Sequence, residues 1–197
     1  GKKLVIVKTE WDGLVPAVQS GKIDAIIAGM SPTAERKESI DFTDVYYTSD
    51  LVMVVKKGGK YENATKLSDF KGATITGQLN TFHYTVIDQI DGVKKDTAMD
   101  NFPAMRVALE SGKIDGYVSE RPEGVSATSA NKNFAMVEFA DGQGFKTSDE
   151  DTAIAVGLKK DSDLKDKINK ILAGISEDER KDLMDKAIKD QPASEDN

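Results

Sequence analysis

The sequence predicts an α/β protein of two lobes, and three observations carry that prediction. The first is an internal echo. AVQSGKIDAIIAG at residues 17–29 matches ALESGKIDGYVSE at residues 108–120, with SGKID identical and a constant offset of 91 residues. Each copy reads as a helix end, a glycine turn (Gly21 in the first) and a buried strand. The second is the apolar stretch 23–28, whose lack of alternation fits a strand covered on both faces. The third is what stands at the two strand ends, Gly29 in one copy and Glu120 in the other. Ligands gather at the carboxyl ends of strands in open α/β sheets, so two such units predict two lobes presenting strand ends to a shared cleft.

Composition narrows the class. The chain has 197 residues, 39% of them hydrophobic and 31% charged, with a formal net charge of −7. That suits a globular protein large enough to bury a core. Acid and base are interspersed and no basic face is evident, which argues against nucleic acid as a partner. Cysteine is absent, which excludes disulfides, thiolate metal sites and a cysteine nucleophile. No run approaches the roughly 20 apolar residues that span a bilayer.

Taken in order, residues 4–7 (LVIV) predict an apolar strand. Asp12 is placed to cap a helix that carries Pro16 in its first turn, where proline is tolerated, and that ends near Ser20. The strand 23–28 comes next, then a loop from Gly29 to Thr33. Thr33 is the expected N-cap of a helix over 34–39. Residues 41–47 form an extended aromatic connection, 51–55 a strand, 65–70 a short helix and 73–76 another strand. The polar loop 77–82 leads into a helix over 83–90 that Thr81 can cap. A strand is expected at 93–95. A helix over 101–111 has Pro103 early, mirroring Pro16. The second echo ends with a strand at 117–120, followed by a helix through about 130, a strand at 134–139 and a flexible turn at 142–144. Residues 152–158 predict one strand returning from the second lobe. Leu164, Ile168, Ile171, Leu172 and Ile175, and then Leu183, Met184, Ala187 and Ile188, fall at helical spacing. They predict two terminal helices (162–174 and 176–190) with core-facing stripes. Residues 191–197 read as a polar tail or linker.

The residues support recognition better than catalysis. His83, the only histidine, follows a loop, and no Ser/His/Asp arrangement can be assembled around it. It reads as a partly buried loop residue. The acidic run 149–151 reads as a solvated turn, and no glycine-rich phosphate fingerprint follows a strand. Arg36 has two readings: a surface arginine paired with Glu35 or Asp41, or a guanidinium fork for a ligand carboxylate. Two loops leading into helix N-termini favour an anion, and Glu120 favours a cation. The set Arg36 plus Glu120 suits a zwitterion. Trp11 packs either on a ligand side chain or in the core.

At AGMSPTAERKESIDFTDVYY, GQLNTF and SGKIDGYVSE the chain resembles the bacterial type II periplasmic amino-acid-binding proteins, the solute receptors of ABC importers. The resemblance spans essentially the whole chain, terminal helices included. It implies an α/β fold of two lobes joined by two hinge strands, with lobe 1 at residues 1–48 and 153–197 and lobe 2 at 49–152. It implies no catalytic residue, metal or cofactor, and a free polar L-α-amino acid as ligand. Gly29, Met30 and Ser31 fall where the family uses backbone and hydroxyl contacts. Arg36 corresponds to the arginine that grips the α-carboxylate. Gln78, Thr81 and Phe82 lie in the second-lobe loop, where Asn80 and Phe82 depart from the usual Gly-Thr-Thr run. Glu120 stands for the family aspartate that takes the α-ammonium, one methylene longer, and Trp11 for an aromatic flanking the ligand side chain. Stacking of Trp11 on a guanidinium and an amide contact from Gln78 point to arginine or glutamine.

The resemblance further implies an extracellular or periplasmic location, tethering as a lipoprotein or by fusion to a transporter, and ABC importer membrane subunits as partners. It also implies that a strand and helix of roughly 40 residues ahead of Leu4 are missing, by ordinary βα unit lengths. Lobe 1 would then be incomplete at its N-terminus and open to domain exchange or a complementing second chain. Two other functions use the same fold: a cyclohexadienyl dehydratase, and a sensory domain of a membrane receptor.

Overall fold

The structure is a computed structural model and describes residues 3–190. The polar stretch 191–197 therefore lies outside the described residues. In chain order the first elements are α1 (Leu14–Gln19), β1 (Ala25–Ile26), α2 (Ala34–Ser39), β2 (Asp41–Phe42) and β3 (Tyr47–Thr48). Next come β4 (Leu51–Lys56), β5 (Thr74–Thr76), α3 (Phe82–Thr85), β6 (Lys94–Lys95), α4 (Phe102–Ser111), β7 (Gly116–Glu120), α5 (Arg121–Ala130) and β8 (Phe134–Val137). The chain closes with α6 (Asp149–Thr152), β9 (Ala153–Ile154), β10 (Gly157–Leu158), α7 (Leu164–Leu172) and α8 (Glu177–Asp190).

Two compact units emerge. One holds the described residues up to Thr48 together with Asp149–Glu177; the other holds Ser49–Ser148 and the described residues from Asp178 onward.

The second unit is built on one mixed sheet in the order β6-β5-β7-β4-β8. β7 lies inside it, parallel to β5 and antiparallel to β4. Side chains along a strand alternate between faces, and the core divides accordingly. Val54 and Tyr117 point to the face covered by Met105, Ala108 and Leu109 of α4 and Ala127 of α5. Met53, Val55 and Val118 point to the opposite face, against Phe70, Ile75, Val86 and Ile87. Burial of each such side chain contributes about 1.5–3 kcal/mol. α4 is held at both ends: the Asn101 side chain accepts from Ala104 N–H at 3.0 Å, and Gly112 closes it in the left-handed region at φ 78°.

The first unit is thinner. Its three-stranded antiparallel sheet runs β1-β10-β2, each strand two residues long. Leu14, Val18, Ile26, Met30, Ile40, Phe42 and Ala155 make its core. β3 pairs with β9 beside the points where the chain leaves and re-enters this unit, Tyr47 opposite Ile154. The single strand expected at 152–158 is thus two: β9 pairs with β3, whereas β10 lies between β1 and β2.

Several expectations are corrected here. Residues 4–7 form no strand; their side chains are 55–87% exposed. A strand needs a neighbour for its N–H and C=O groups, and no described strand pairs with this run. The strand expected at 23–28 shrinks to Ala25–Ile26, with Ile27 67% exposed, because among the described residues only β10 flanks it. Asp12 does not cap α1: a 3-10 turn, Trp11–Gly13, leads in and Gly13 takes the N-cap position. The helix over 83–90 is one turn of α-helix followed by 3-10 helix, Val86–Gln89. The stripes of α7 and α8 are not core faces, since neither helix contains a buried residue and Ile171 and Leu183 are exposed. An apolar stripe is buried only where another element meets it.

Candidate functional site

In the first unit the loop after β1 gathers the expected residues around one guanidinium. Gly29 turns the chain in the left-handed region at φ 65°, with open space where a side chain would stand. Met30 sends its side chain into the core, and its carbonyl accepts from Ala155 N–H at 3.2 Å. Ser31 is buried; its hydroxyl donates to the Asp151 carbonyl at 2.7 Å. Its own carbonyl accepts from Arg36 Nη1 at 3.0 Å. Thr33 caps α2 as expected, its Oγ1 accepting from Arg36 N–H at 3.4 Å. The Arg36 guanidinium lies over the Trp11 ring, 5.4 Å from its centroid.

Trp11 therefore supports the cation while packing on the core margin. The pairing of Arg36 with Asp41 is not seen. Asp41 instead accepts from Asp161 N–H at 3.0 Å and lies 3.1 Å from Lys160. Burial draws the Arg36 pKa below the ordinary guanidinium value, and the nearby charges of Glu35 and Asp151 work in the other direction. Guanidinium is charged throughout the physiological range regardless. The chemistry on offer is a partly buried, braced cation suited to a carboxylate.

In the second unit the loop between β5 and α3 carries Gln78, Thr81 and Phe82. Gln78 is buried and its Nε2 donates to the Asp100 carbonyl at 3.2 Å. Its backbone continues the sheet by a parallel bridge to Met99. Asn80 takes a left-handed conformation, φ 57°. Thr81 stands at the N-cap of α3 but does not cap it with its side chain; Oγ1 donates to the Gln78 carbonyl at 2.8 Å. This closes the loop on itself, and a helix of one turn adds little dipole. Gly77 is required by close approach: a Cβ there would stand 2.7 Å from the His83 carbonyl oxygen.

Glu120 ends β7 with its side chain 13% exposed, and its Oε1 lies 3.4 Å from His83 Nε2. His83 is not a partly buried loop residue: it lies in α3, 6% exposed, its ring 4.6 Å from that of Phe82. Sequence reasoning missed this partnership because nothing in the spacing links His83 to Glu120. It also missed the network behind β7. Glu123 accepts from Arg106 Nη2 at 2.7 Å and from Ser119 Oγ at 2.7 Å, with Tyr117 Oη at 3.4 Å. Burial first, then the Glu123 charge, pushes the Tyr117 pKa up, so its hydroxyl stays neutral. Burial opposes the Arg106 charge, but Glu123 outweighs it and raises that pKa. Among the described residues no group of three His, Cys, Asp or Glu could hold a metal ion, and no helix is long and apolar enough to cross a membrane.

One unit thus holds a braced cation in α2, beyond the loop that follows β1, and the other an acid at the end of β7, equipment for holding a solute rather than transforming it. The chain belongs to the bacterial extracellular solute-binding proteins, family 3, whose family model matches residues 1–190. It is 28% identical over 178 residues to the arginine-binding extracellular protein ArtP of Bacillus subtilis, covering 87% of this chain and 65% of that protein. It is 32% identical over 180 residues to the glutamine-binding protein GlnH of an ABC transporter in the same organism, covering 91% and 63%. A solved amino acid ABC transporter substrate-binding protein from Streptococcus pneumoniae, bound to L-arginine, superposes with a TM-score of 0.81. The sequences are 29% identical there, over 95% of this chain and 76% of that one. The chain spans just under two thirds of the length of the two Bacillus relatives. All three relatives are binding proteins, which leaves the dehydratase reading without support.

Proposed function

We propose that this chain captures a polar L-α-amino acid, arginine or glutamine, for delivery to the membrane subunits of an ABC importer. The carrying observation is the charge asymmetry of the internal echo: one copy leads to the braced Arg36 guanidinium, the other ends in Glu120. In this reading Arg36, Ser31 and Thr81 take the α-carboxylate, and Glu120 with the Gly29 carbonyl takes the α-ammonium. Met30 contributes through its backbone, and Trp11, Gln78 and Phe82 flank the side chain. Lobe 1 (1–48 with 153–197) and lobe 2 (49–152) hinge about two connecting strands, and a ligand that touches both favours the closed state. The names of the arginine- and glutamine-binding relatives support the choice of ligands.

A thermal-shift screen against the twenty amino acids tests this. A ligand at 100 times its dissociation constant adds about 2.7 kcal/mol. The reading expects a shift with arginine or glutamine that is lost in Arg36→Ala and Glu120→Ala. Silence with all twenty would contradict it.

The exposed run Leu4–Val7 and the edge of β1, which no described strand pairs with, support a second element of the proposal. The first unit takes up an apolar strand from a second chain, by exchange or complementation. Light scattering at rising protein concentration checks this, and a compact monomer with tight ligand binding throughout would overturn it. The extracellular location follows the family, and we extend it to a chain held at the membrane as a lipoprotein or by fusion to its transporter. Fractionation of the producing cell with and without lipoprotein processing reads that out.

A further inference from the structure

We propose that His83 is the positioning partner of the Glu120 carboxylate and makes ammonium capture sensitive to protons. The inference rests on Glu120 being the ammonium ligand. His83 is 6% exposed, and neither of its ring nitrogens has a hydrogen-bond partner. Leaving a buried polar group unsatisfied is costly, so the ring has reason to engage what lies beside it. That neighbour is Glu120 Oε1, 3.4 Å from Nε2, a small rotation away from a hydrogen bond.

The ring has little other freedom. Phe82 packs on it at 4.6 Å, Phe102 stands 6.3 Å off, and Gly77 lies against the His83 backbone. The other ionisable groups on the elements around this corner are engaged. On α4 and α5, Arg106 pairs with Glu123 at 2.7 Å. Tyr117 of β7, 6.3 Å from the Phe102 ring, turns its hydroxyl to that same Glu123. Arg121, next to Glu120, pairs with Glu138 at 2.8 Å.

Two protonation states then do two things. A neutral imidazole with its proton on Nε2 donates to one carboxylate oxygen and leaves the other for the ligand. This holds Glu120, whose arm is longer than that of an aspartate, in one place. An imidazolium cancels the Glu120 charge and sets a fixed cation where the ligand ammonium must come. Ligand and proton therefore compete, and by linkage affinity falls as pH drops through the range in which an imidazole charges.

The single histidine makes the test direct. The imidazole nitrogen and N–H resonances of the ligand-free protein are recorded by NMR at pH 8.0 in the wild type and in E120Q. The Nε2–H resonance is expected to shift in E120Q, because the carboxylate beside it is gone. Calorimetry with L-arginine and with L-glutamine between pH 5.5 and 8.0 is expected to show about a tenfold loss of affinity at the acid end. H83Q, which keeps a neutral donor, loses that pH response. Unchanged imidazole resonances in E120Q would overturn the proposal. Parallel pH profiles in H83Q and wild type would overturn it equally. Absence of binding by the wild type at pH 8.0 would instead overturn the amino-acid reading, while the NMR comparison still decides whether His83 and Glu120 are coupled.

Discussion

The same five residues, SGKID, occur in both units and have different outcomes. The turns are the same. Gly21 and Gly112 both sit in the left-handed region, at φ 75° and 78°. Lys22 N–H donates to Ala17 at 2.9 Å, and Lys113 N–H donates to Ala108 at 3.0 Å. The strands beyond the turns differ. β7 runs five residues and is fully enclosed by β4 and β5, whereas β1 runs two and, among the described strands, is flanked by β10 alone. The turn is a local matter of glycine backbone freedom and helix capping. The strand is a matter of neighbours, and the second unit supplies two where the described first unit supplies one.

Core substitutions break this comparison most forcefully. Leu109→Ala in the second unit, at a fully buried position, is expected to cost about 2–5 kcal/mol in denaturant unfolding. Ile6→Ala in the first unit, at a side chain 87% exposed, is expected to change stability by no more than about 0.5 kcal/mol. Equal costs would mean that residues 4–7 are covered in solution. Gly77→Ala comes next. The added methyl group meets the His83 backbone, and overpacking of this kind costs about 1–3 kcal/mol, with loss of the Gln78–Thr81 loop geometry visible by NMR.

Legibility followed the same division. α4 and β7 were readable because each carries its own signals, Asn101 and Gly112 at the ends of α4 and the SGKID turn that leads into β7. The stripes of α7 and the run 4–7 were equally clear as patterns and wrong as statements of burial, because a pattern records a preference for a partner and not its presence. At the site, Arg36 and Glu120 stood out by residue type and position. The stacking of Trp11 under Arg36 and the His83–Glu120 contact join residues distant in sequence, and only the folded chain brings them together.

The two turns sharpen the comparison. Gly21→Ala and Gly112→Ala place an L side chain in the left-handed region, at about 1–2 kcal/mol each. The losses are expected to be alike, since the turns are alike; a much smaller loss at Gly21 would show that the first turn is not closed in solution. The smallest effect concerns Asp41. Its pKa is depressed, first by the Asp161 N–H and then by Lys160. A depressed carboxylate contributes stability above its unfolded-state pKa and loses it as pH falls through the folded value. Asp41→Asn is therefore expected to cost up to about 1 kcal/mol at pH 7, a difference from wild type that thermal melts should show disappearing in acid.

Hydrogen exchange with and without saturating L-arginine tests the central claim, that one amino acid engages residues of both units. The account predicts slowed exchange together in 29–36 of the first unit and in 77–83 and 118–121 of the second, lost in both when Arg36 or Glu120 is replaced by alanine. Protection confined to one unit, or present in both but unchanged in Arg36→Ala, would contradict it.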